Sequence, residues 1–378
     1  MNALSIYHEL TGGRSRFLRV DELCRLTGER HPRTLPTEED LRSEAALAQR
    51  DKKGLEKAQG DFLAQILGDP VAGMHLCHAM LLRREDSREK FAEFDRRGEI
   101  DLGGAHLARQ GKAAVLTMHN PRYLNAEDES TLDGMEVAVD LALLDPKTEV
   151  CVLRGGLVEH PKYAGRRLFG AGINLTHLYQ GKVRFLWYLI RDLGFVNKFY
   201  RGLAFKEQPP ETASIEKVWI AAVEGFAIGG HCQILLTMDY TLAEADAYMT
   251  LPARKEGIIP GAADLRLPRF VGDRIARQAI MGERRIECAS AEGRMICDEI
   301  VASGTMDAAI ERAVEKLTGS GVVSAAGNRR AFRVGQEPLD MFRRYMAVYA
   351  REQAQCHFSP ALIGNLEKYW NAANRRQE

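Results

Sequence analysis

The sequence predicts an α/β protein with a helical region added at each end. Three observations carry this. Between residues 112 and 310, short apolar runs alternate with stretches of helical period, the pattern of α/β units. Two glycine pairs, Gly170 with Gly172 and Gly229 with Gly230, each stand just before an apparent helix. Outside that span, apolar residues recur at helical spacing on both sides. A chain of 378 residues has room for two domains, or for one domain with large additions.

Taken in order, residues 1–110 read as a helical amino-terminal extension. A polar lead-in holds Pro32 and Pro36. Thr37 with Asp40 three residues later resembles a helix cap, and Leu41, Ala45, Leu55, Phe62, Ile66 and Leu67 follow at roughly helical spacing. Gly68-Asp69-Pro70 breaks the pattern. A second helix is expected over residues 71–82 and a charged one over 87–97, with GEIDLGG closing the region. His75 and His78 share a helical face, but no carboxylate joins them at ligand spacing, so packing or solvent-facing histidines are the favoured reading.

Residues 111–310 form the α/β core. Residues 113–118 are a strand, followed by an Asn-Pro turn, a helix over 129–144 and a second buried strand over 150–153. In LFGAGINLTHL, Gly170 and Gly172 free the backbone before a helix. Residues 218–239, VWIAAVEGFAIGGHCQILLTMD, repeat that plan as strand, glycine turn and helix start. N–H groups uncapped at such a turn favour an anion or a carbonyl oxygen gaining charge. Gly230 is therefore expected to supply one half of an oxyanion hole. Residues 311–378 read as a helical carboxyl-terminal region, with an amphipathic stripe of Leu339, Phe342, Met346 and Tyr349.

Charge and cysteines narrow the function classes. Basic and acidic residues number 52 each, so no overall field attracts nucleic acid or an anionic membrane, and a polyanionic ligand needs a local basic pocket. The seven cysteines, Cys24, Cys77, Cys151, Cys232, Cys288, Cys297 and Cys356, are odd in number and scattered, without Cys-x-x-Cys. They read as reduced thiols in the cytoplasm. The amino end lacks a signal-peptide pattern and no apolar run nears the ~18 residues that span a bilayer, so a soluble intracellular protein is expected. No P-loop or complete GxGxxG fingerprint occurs.

Four blocks, in this order, carry a family resemblance: HNPRYLNA, FGAGINL, AAVEGFAIGGHCQILLTMDY and LPARKEGIIPGAADLRL. Together they resemble the crotonase, or enoyl-CoA hydratase/isomerase, superfamily. The resemblance implies a stacked ββα superhelix with acyl-CoA in its cleft, assembly as homo-trimers or hexamers, and the backbone N–H groups of Ile173 and Gly230 as oxyanion donors. Hydratases of that superfamily carry two water-activating glutamates where this chain has Gln233 and Ala253. Neither residue takes a proton at neutral pH, so hydration is not expected.

HNPRYLNAEDESTLDGMEVAVDLALLD, KVRFLWYLIRDLGFVNKFYRG, GGHCQ, LPARKEGIIPGA and the long helical extension resemble the superfamily's 3,5-dihydroxyphenylacetyl-CoA dioxygenase branch of glycopeptide-antibiotic pathways. That resemblance implies a reaction with no metal, flavin or other cofactor, in which CoA is part of the substrate and dioxygen the co-substrate. It implies substrate contacts from Glu127, Arg191 and Gln233, and Arg254 is a further substrate-binding candidate. Leu175 and Ile258, close in sequence to the anion site and the proline-glycine block, are candidates to line a dry space for oxygen. Arg122 is the expected CoA-phosphate partner, ahead of Lys162, Arg166 and Arg167.

Bland readings stand beside these. Gln233 serves as a bond within its own helix, Glu127 as a favourable charge at a helix start, Arg191 as an exposed arginine, and Arg254 with Glu256 as a structural loop pair. His231 is either a base or a residue pointing away from the cleft. Two other functions stay open, namely another crotonase-type activity (isomerase, thioesterase or decarboxylase) and a catalytically silent CoA-binding protein. The missing glutamate pair counts against hydration, and the retained glycine turns count against silence.

Overall fold

The computed structural model describes residues 2–319 and 321–374. In chain order its strands are β1 (Glu99–Asp101), β2 (Ala105–Gln110), β3 (Ala113–Met118), β4 (Val150–Gly155), β5 (Leu203–Ala204), β6 (Ser214–Ile215), β7 (Val218–Val223), β8 (Phe226–Ile228), β9 (Tyr240–Glu244), β10 (Tyr248–Thr250), β11 (Ile286–Glu287) and β12 (Glu299–Val301). The main sheet runs β1-β2-β3-β4-β7-β9-β12, antiparallel as far as β3 and parallel from there on. Parallel strands covered on both faces read as unbroken apolar runs. VWIAAV of β7 is buried at every position. Successive side chains alternate between faces. Val150, Val152, Val218 and Ile220 meet Ala309, Ile310 and Ala313 of the helix Met306–Thr318, while Cys151, Leu153, Trp219 and Ala221 enter the larger core.

Three successive units share one plan, a main-sheet strand, then a short extended stretch, then a short helix. β4 leads through Gly170 to the helix Leu175–Tyr179, β7 through β8 to Gly230–Leu235, and β9 through β10 to Ala253–Glu256. Gly170 bridges Ala227, and Ala227 pairs with Met249, so the extended stretches lie side by side. This is a stacked ββα superhelix. Its consequence is that three turns into helices leave the stack next to one another.

The helical ends are welded to this core. Phe62, Ile66 and Leu67 of the helix Lys57–Gly68 and Leu339, Phe342, Met346 and Tyr349 of the helix Leu339–His357 join the sheet in one hydrophobic cluster. Gly60 permits the approach, since a Cβ there would stand 2.5 Å from the Ala354 Cβ. A buried ionic cluster makes a second weld. Lys198 lies between Glu136 at 2.7 Å and Asp140 at 2.6 Å, and Arg19 of the extension reaches Glu136 at 2.7 Å.

The expected capping box at Thr37 and Asp40 is present, and the stripe Leu339, Phe342, Met346 and Tyr349 is buried. Two features differ from the sequence reading. The expected last helix does end at Arg97, but β1 and β2, within the span read as the helical extension, belong to the main sheet. β1 is a three-residue edge strand exposing Glu99 and Asp101, too short and too charged to carry a period. The polar lead-in is also helical over Ala3–Leu10 and Val20–Arg30. Each buries a stripe at helical spacing, Ala3, Ile6, Tyr7 and Leu10 in the first and Val20, Leu23, Cys24 and Thr27 in the second. Among the described residues no helix is long and apolar enough to cross a membrane.

Candidate active site

The first two units set their glycine turns against each other. Gly172 has φ +78° and Gly229 +53°, left-handed values that favour glycine. A Cβ on Gly172 would lie 2.9 Å from the Ile228 carbonyl oxygen and 3.3 Å from the Gly230 nitrogen, so a side chain there would push the turns apart. The Glu127 N–H donates to the Gly172 carbonyl (2.7 Å) and the Asn174 N–H to the Glu127 carbonyl (2.8 Å), which leaves the Ile173 N–H outside the ladder. The Gly230 N–H opens a helix and, like that of Ile173, has no acceptor among the described residues. Both residues line one cavity. The helix Gly230–Leu235 has only six residues, so the site offers two directed N–H groups more than a helix dipole.

His231 ties the turns together. Its Nδ1 accepts from the Gly172 N–H at 2.9 Å, which puts the ring proton on Nε2. Burial lowers its pKa to about 4, so the ring is neutral. It points toward Gly170, where an added Cβ would lie 2.2 Å from Nε2, and away from the cavity.

One wall of the cavity is ionic. Arg191, on the helix Phe185–Leu193, grips both oxygens of Glu127 through Nε (2.9 Å) and Nη2 (2.8 Å), a bidentate pair. Its Nη1 donates to Gln233 Oε1 (3.0 Å) and Asp192 Oδ1 (3.1 Å), and its Nη2 to the Gly230 carbonyl (2.9 Å). Burial alone would lower the guanidinium pKa, but Glu127 and Asp192 hold it above the ordinary value. Burial raises the Asp192 carboxyl against the pull of Arg191. Gly261, with φ +47°, lets the proline-glycine segment close over this wall, because a Cβ there would stand 2.2 Å from Gln233 Oε1.

The other wall is apolar except for one carboxylate. Ala253 and Glu256, three apart on a single helical turn, face inward beside Trp187, Tyr188, Leu251, Ile258 and Tyr349. Glu256 is 3% exposed and has no hydrogen-bond or ion-pair partner among the described residues. Burial pushes its carboxyl pKa up to about 7. A Cβ on Gly229 would stand 4.0 Å from each of its oxygens. The cavity measures about 20 Å³, room for roughly one water-sized molecule. Among the described residues no three His, Cys, Asp or Glu side chains are grouped to hold a metal ion.

Residues 108–337 match the family model described as Enoyl-CoA hydratase/isomerase. The chain belongs to this family. (3,5-Dihydroxyphenyl)acetyl-CoA 1,2-dioxygenase of Amycolatopsis orientalis is 45% identical over 366 residues, covering 97% of this chain and 83% of that protein. The short-chain-enoyl-CoA hydratase of Clostridium acetobutylicum is 27% identical over 240 residues, 63% of this chain and 84% of its own. The solved enoyl-CoA hydratase of Bacillus halodurans has the same fold, with a TM-score of 0.58 at 18% identity over 70% of this chain and 99% of its own. The Amycolatopsis relative aligns with nearly the whole chain, so the likeness to it extends beyond the 70% that the Bacillus enoyl-CoA hydratase covers.

Within this enoyl-CoA hydratase/isomerase site the structure brings together Ile173, Gly230, Arg191, Gln233 and Ile258 on the cavity, with Glu127 behind Gly230 and clasped by Arg191. Asp128, not Glu127, caps the following helix. Three of the expected residues lie off the cavity. Arg254 does not line the cavity; on the short helix it faces outward and pairs with Glu283 at 2.8 Å, so it is no partner of Glu256 either. Leu175 opens a new helix beyond Ile173 and lines a separate pocket with Tyr179 and Trp370. Arg122 is exposed on the turn Pro121–Tyr123, its guanidinium 5.8 Å from the Tyr123 ring centre, and is not a cavity residue. His75 bonds the Tyr7 hydroxyl at 2.6 Å and His78 the Phe205 carbonyl at 2.7 Å, in line with packing roles. The sequence reading missed Asp192, Tyr188, Tyr349 and the inward side of Glu256. The one available signal was the three-residue step from Ala253 to Glu256.

Proposed function

We propose that this protein is a dioxygenase that converts 3,5-dihydroxyphenylacetyl-CoA and dioxygen to 3,5-dihydroxyphenylglyoxylate and CoA, with no metal or organic cofactor. The observation that carries this reading is 45% identity to the Amycolatopsis dioxygenase over 97% of the chain. Gln233 and Ala253, at the two positions where hydratases hold glutamates, agree with it.

The amides of Ile173 and Gly230 receive the thioester oxygen as an α-proton leaves and an enolate forms. Each such donor is typically worth about 2.7–4 kcal/mol where water is excluded. Gln233 offers polar atoms to the ring hydroxyls, and Arg191, its donors shared among Glu127, Asp192, Gln233 and the Gly230 carbonyl, holds that wall in place. The electron-rich α-carbon passes an electron to dioxygen, and carbon and oxygen then join. The peroxide closes on the thioester carbonyl and expels the CoA thiolate. Loss of the second α-proton opens the O–O bond and leaves the α-keto acid. Ile258 on the cavity supports an apolar space for dioxygen. A cavity of about 20 Å³ does not hold an aromatic ring, so substrate binding enlarges it. Exposed Val323, Phe332 and Val334 on the helix Val322–Gln336 support a homo-oligomer, and seven free cysteines fit a reducing cytoplasm.

Chelator-treated protein given 3,5-dihydroxyphenylacetyl-CoA in an oxygen electrode is expected to consume one dioxygen per CoA released. CoA release without oxygen uptake would make it a thioesterase, and binding without either would make it a silent CoA-binding protein.

A further inference from the structure

On the reading just given, the reaction starts with loss of an α-proton, and neither oxyanion amide can take it. The basic groups around the site reduce to one. The Nδ1 lone pair of His231 is held by the Gly172 N–H. Both oxygens of Glu127 are held by Arg191, and Asp192 bonds the same guanidinium. The Gln233 amide is no base. Burial raises the phenols of Tyr188 and Tyr349, which keep their protons at neutral pH.

Glu256 is the carboxylate on the cavity that has no hydrogen-bond or ion-pair partner among the described residues. The Gly229 backbone beside its carboxylate immediately precedes Gly230, whose N–H receives the thioester oxygen, and the α-carbon is two bonds from that oxygen. An acyl group held at Gly230 therefore has its α-carbon inside the cavity that Gly229 and Glu256 both line. Glu256 stands one helical turn beyond Ala253, so a carboxylate returns to the inner face from a backbone position different from that of hydratases.

We propose that Glu256 is the catalytic base that removes the α-proton of the arylacetyl thioester. The Cα–H bond breaks and leaves its electron pair on carbon. Charge moves onto the oxygen between the Ile173 and Gly230 amides, and the proton rests on Glu256 until the departing CoA thiolate takes it. The second α-proton leaves to solvent, so the products are the α-keto carboxylate, CoA thiol and one proton.

The surroundings suit that task. Burial among Trp187, Tyr188, Leu251 and Ile258 brings the carboxyl near neutrality, where a general base works best. Charged groups on the neighbouring elements are committed elsewhere. Arg254 and Lys255 turn to Glu283, Glu367 pairs with Arg50, Asp264 faces Tyr345, and Arg191 holds Glu127. The Tyr188 phenol is the titratable group that feels the Glu256 charge.

The test follows deuterium entering the α-position of 3,5-dihydroxyphenylacetyl-CoA in D2O without oxygen, for wild type and Glu256→Gln. Wild type is expected to exchange, with an acid limb in its pH profile near 7. Glu256→Gln should lose about 10²–10⁴-fold and that limb, with thioester affinity kept. Glu256→Asp should keep part of the rate, and formate should restore exchange to Glu256→Ala. Exchange at the wild-type rate in Glu256→Gln, or a wild type that binds the thioester without exchanging it, overturns the proposal. A wild type that exchanges in a Glu256-dependent way but consumes no oxygen supports the base and overturns the dioxygenase reading.

Discussion

Two glutamates flank the pair Gly229–Gly230, about equally buried and oppositely employed. Glu127 has both oxygens in the fork of Arg191, whereas Glu256 has no partner among the described residues. A charge paired on both oxygens is a fixed part of the scaffold; a charge with none is a group free to change its protonation state. The two walls of one small cavity thus divide the labour. The ionic wall orients, and the apolar wall reacts.

The comparison breaks most visibly if its arginine is removed. Arg191→Met leaves Glu127 buried and uncompensated, and unfolding in urea should show a loss of roughly 3–5 kcal/mol. A loss under about 1 kcal/mol would mean that Glu127 does not depend on the pair.

Glu256 sharpens the contrast through pH. Its folded pKa of about 7 exceeds the ordinary 4.5, so the folded state holds a proton that the unfolded chain has released. Stability is therefore full below pH 4.5 and falls as pH rises through 7, by up to about 3 kcal/mol. Glu256→Gln should match wild type at pH 4.5 and exceed it by up to that amount at pH 8, as urea titrations at the two pH values would reveal. Equal curves at pH 8 would place the carboxyl at an ordinary pKa.

The smallest effect belongs to Arg254. An exposed pair with Glu283 is worth at most about 1 kcal/mol, and Arg254→Ala should leave kcat/KM for the thioester unchanged. A clear rise in KM would return this residue to the substrate.

The parallel strands and glycine turns were legible because both need unusual sequence. A strand covered on two faces must be continuously apolar, as β7 is, and turns as tight as those at Gly172 and Gly229 exclude side chains. The expectation that Gly230 donates to an oxyanion came from its turn, and that of Ile173 from the family resemblance. Side-chain direction was not legible. Arg254 and Glu256 are neighbours in LPARKEG, and only the single helical turn over Ala253–Glu256 decides which faces the cavity. Leu175 likewise lies off the cavity, since two residues past Ile173 the backbone has entered another helix. The helices Ala3–Leu10 and Val20–Arg30 do carry the period, in Ala3, Ile6, Tyr7 and Leu10 and in Val20, Leu23, Cys24 and Thr27, but each is short and the second is interrupted by charged residues.

The seam at Gly60 and Ala354 joins segments almost three hundred positions apart, and Tyr349 of the later one is part of the cavity wall. During synthesis the earlier helices emerge long before there is anything for them to seat against. The pocket is therefore finished only when the helix Leu339–His357 leaves the ribosome, and contacts of such sequence separation form slowly. Nascent chains stalled before residue 339 should have a folded sheet and no competence for thioester, which would keep a half-made enzyme from meeting its substrate.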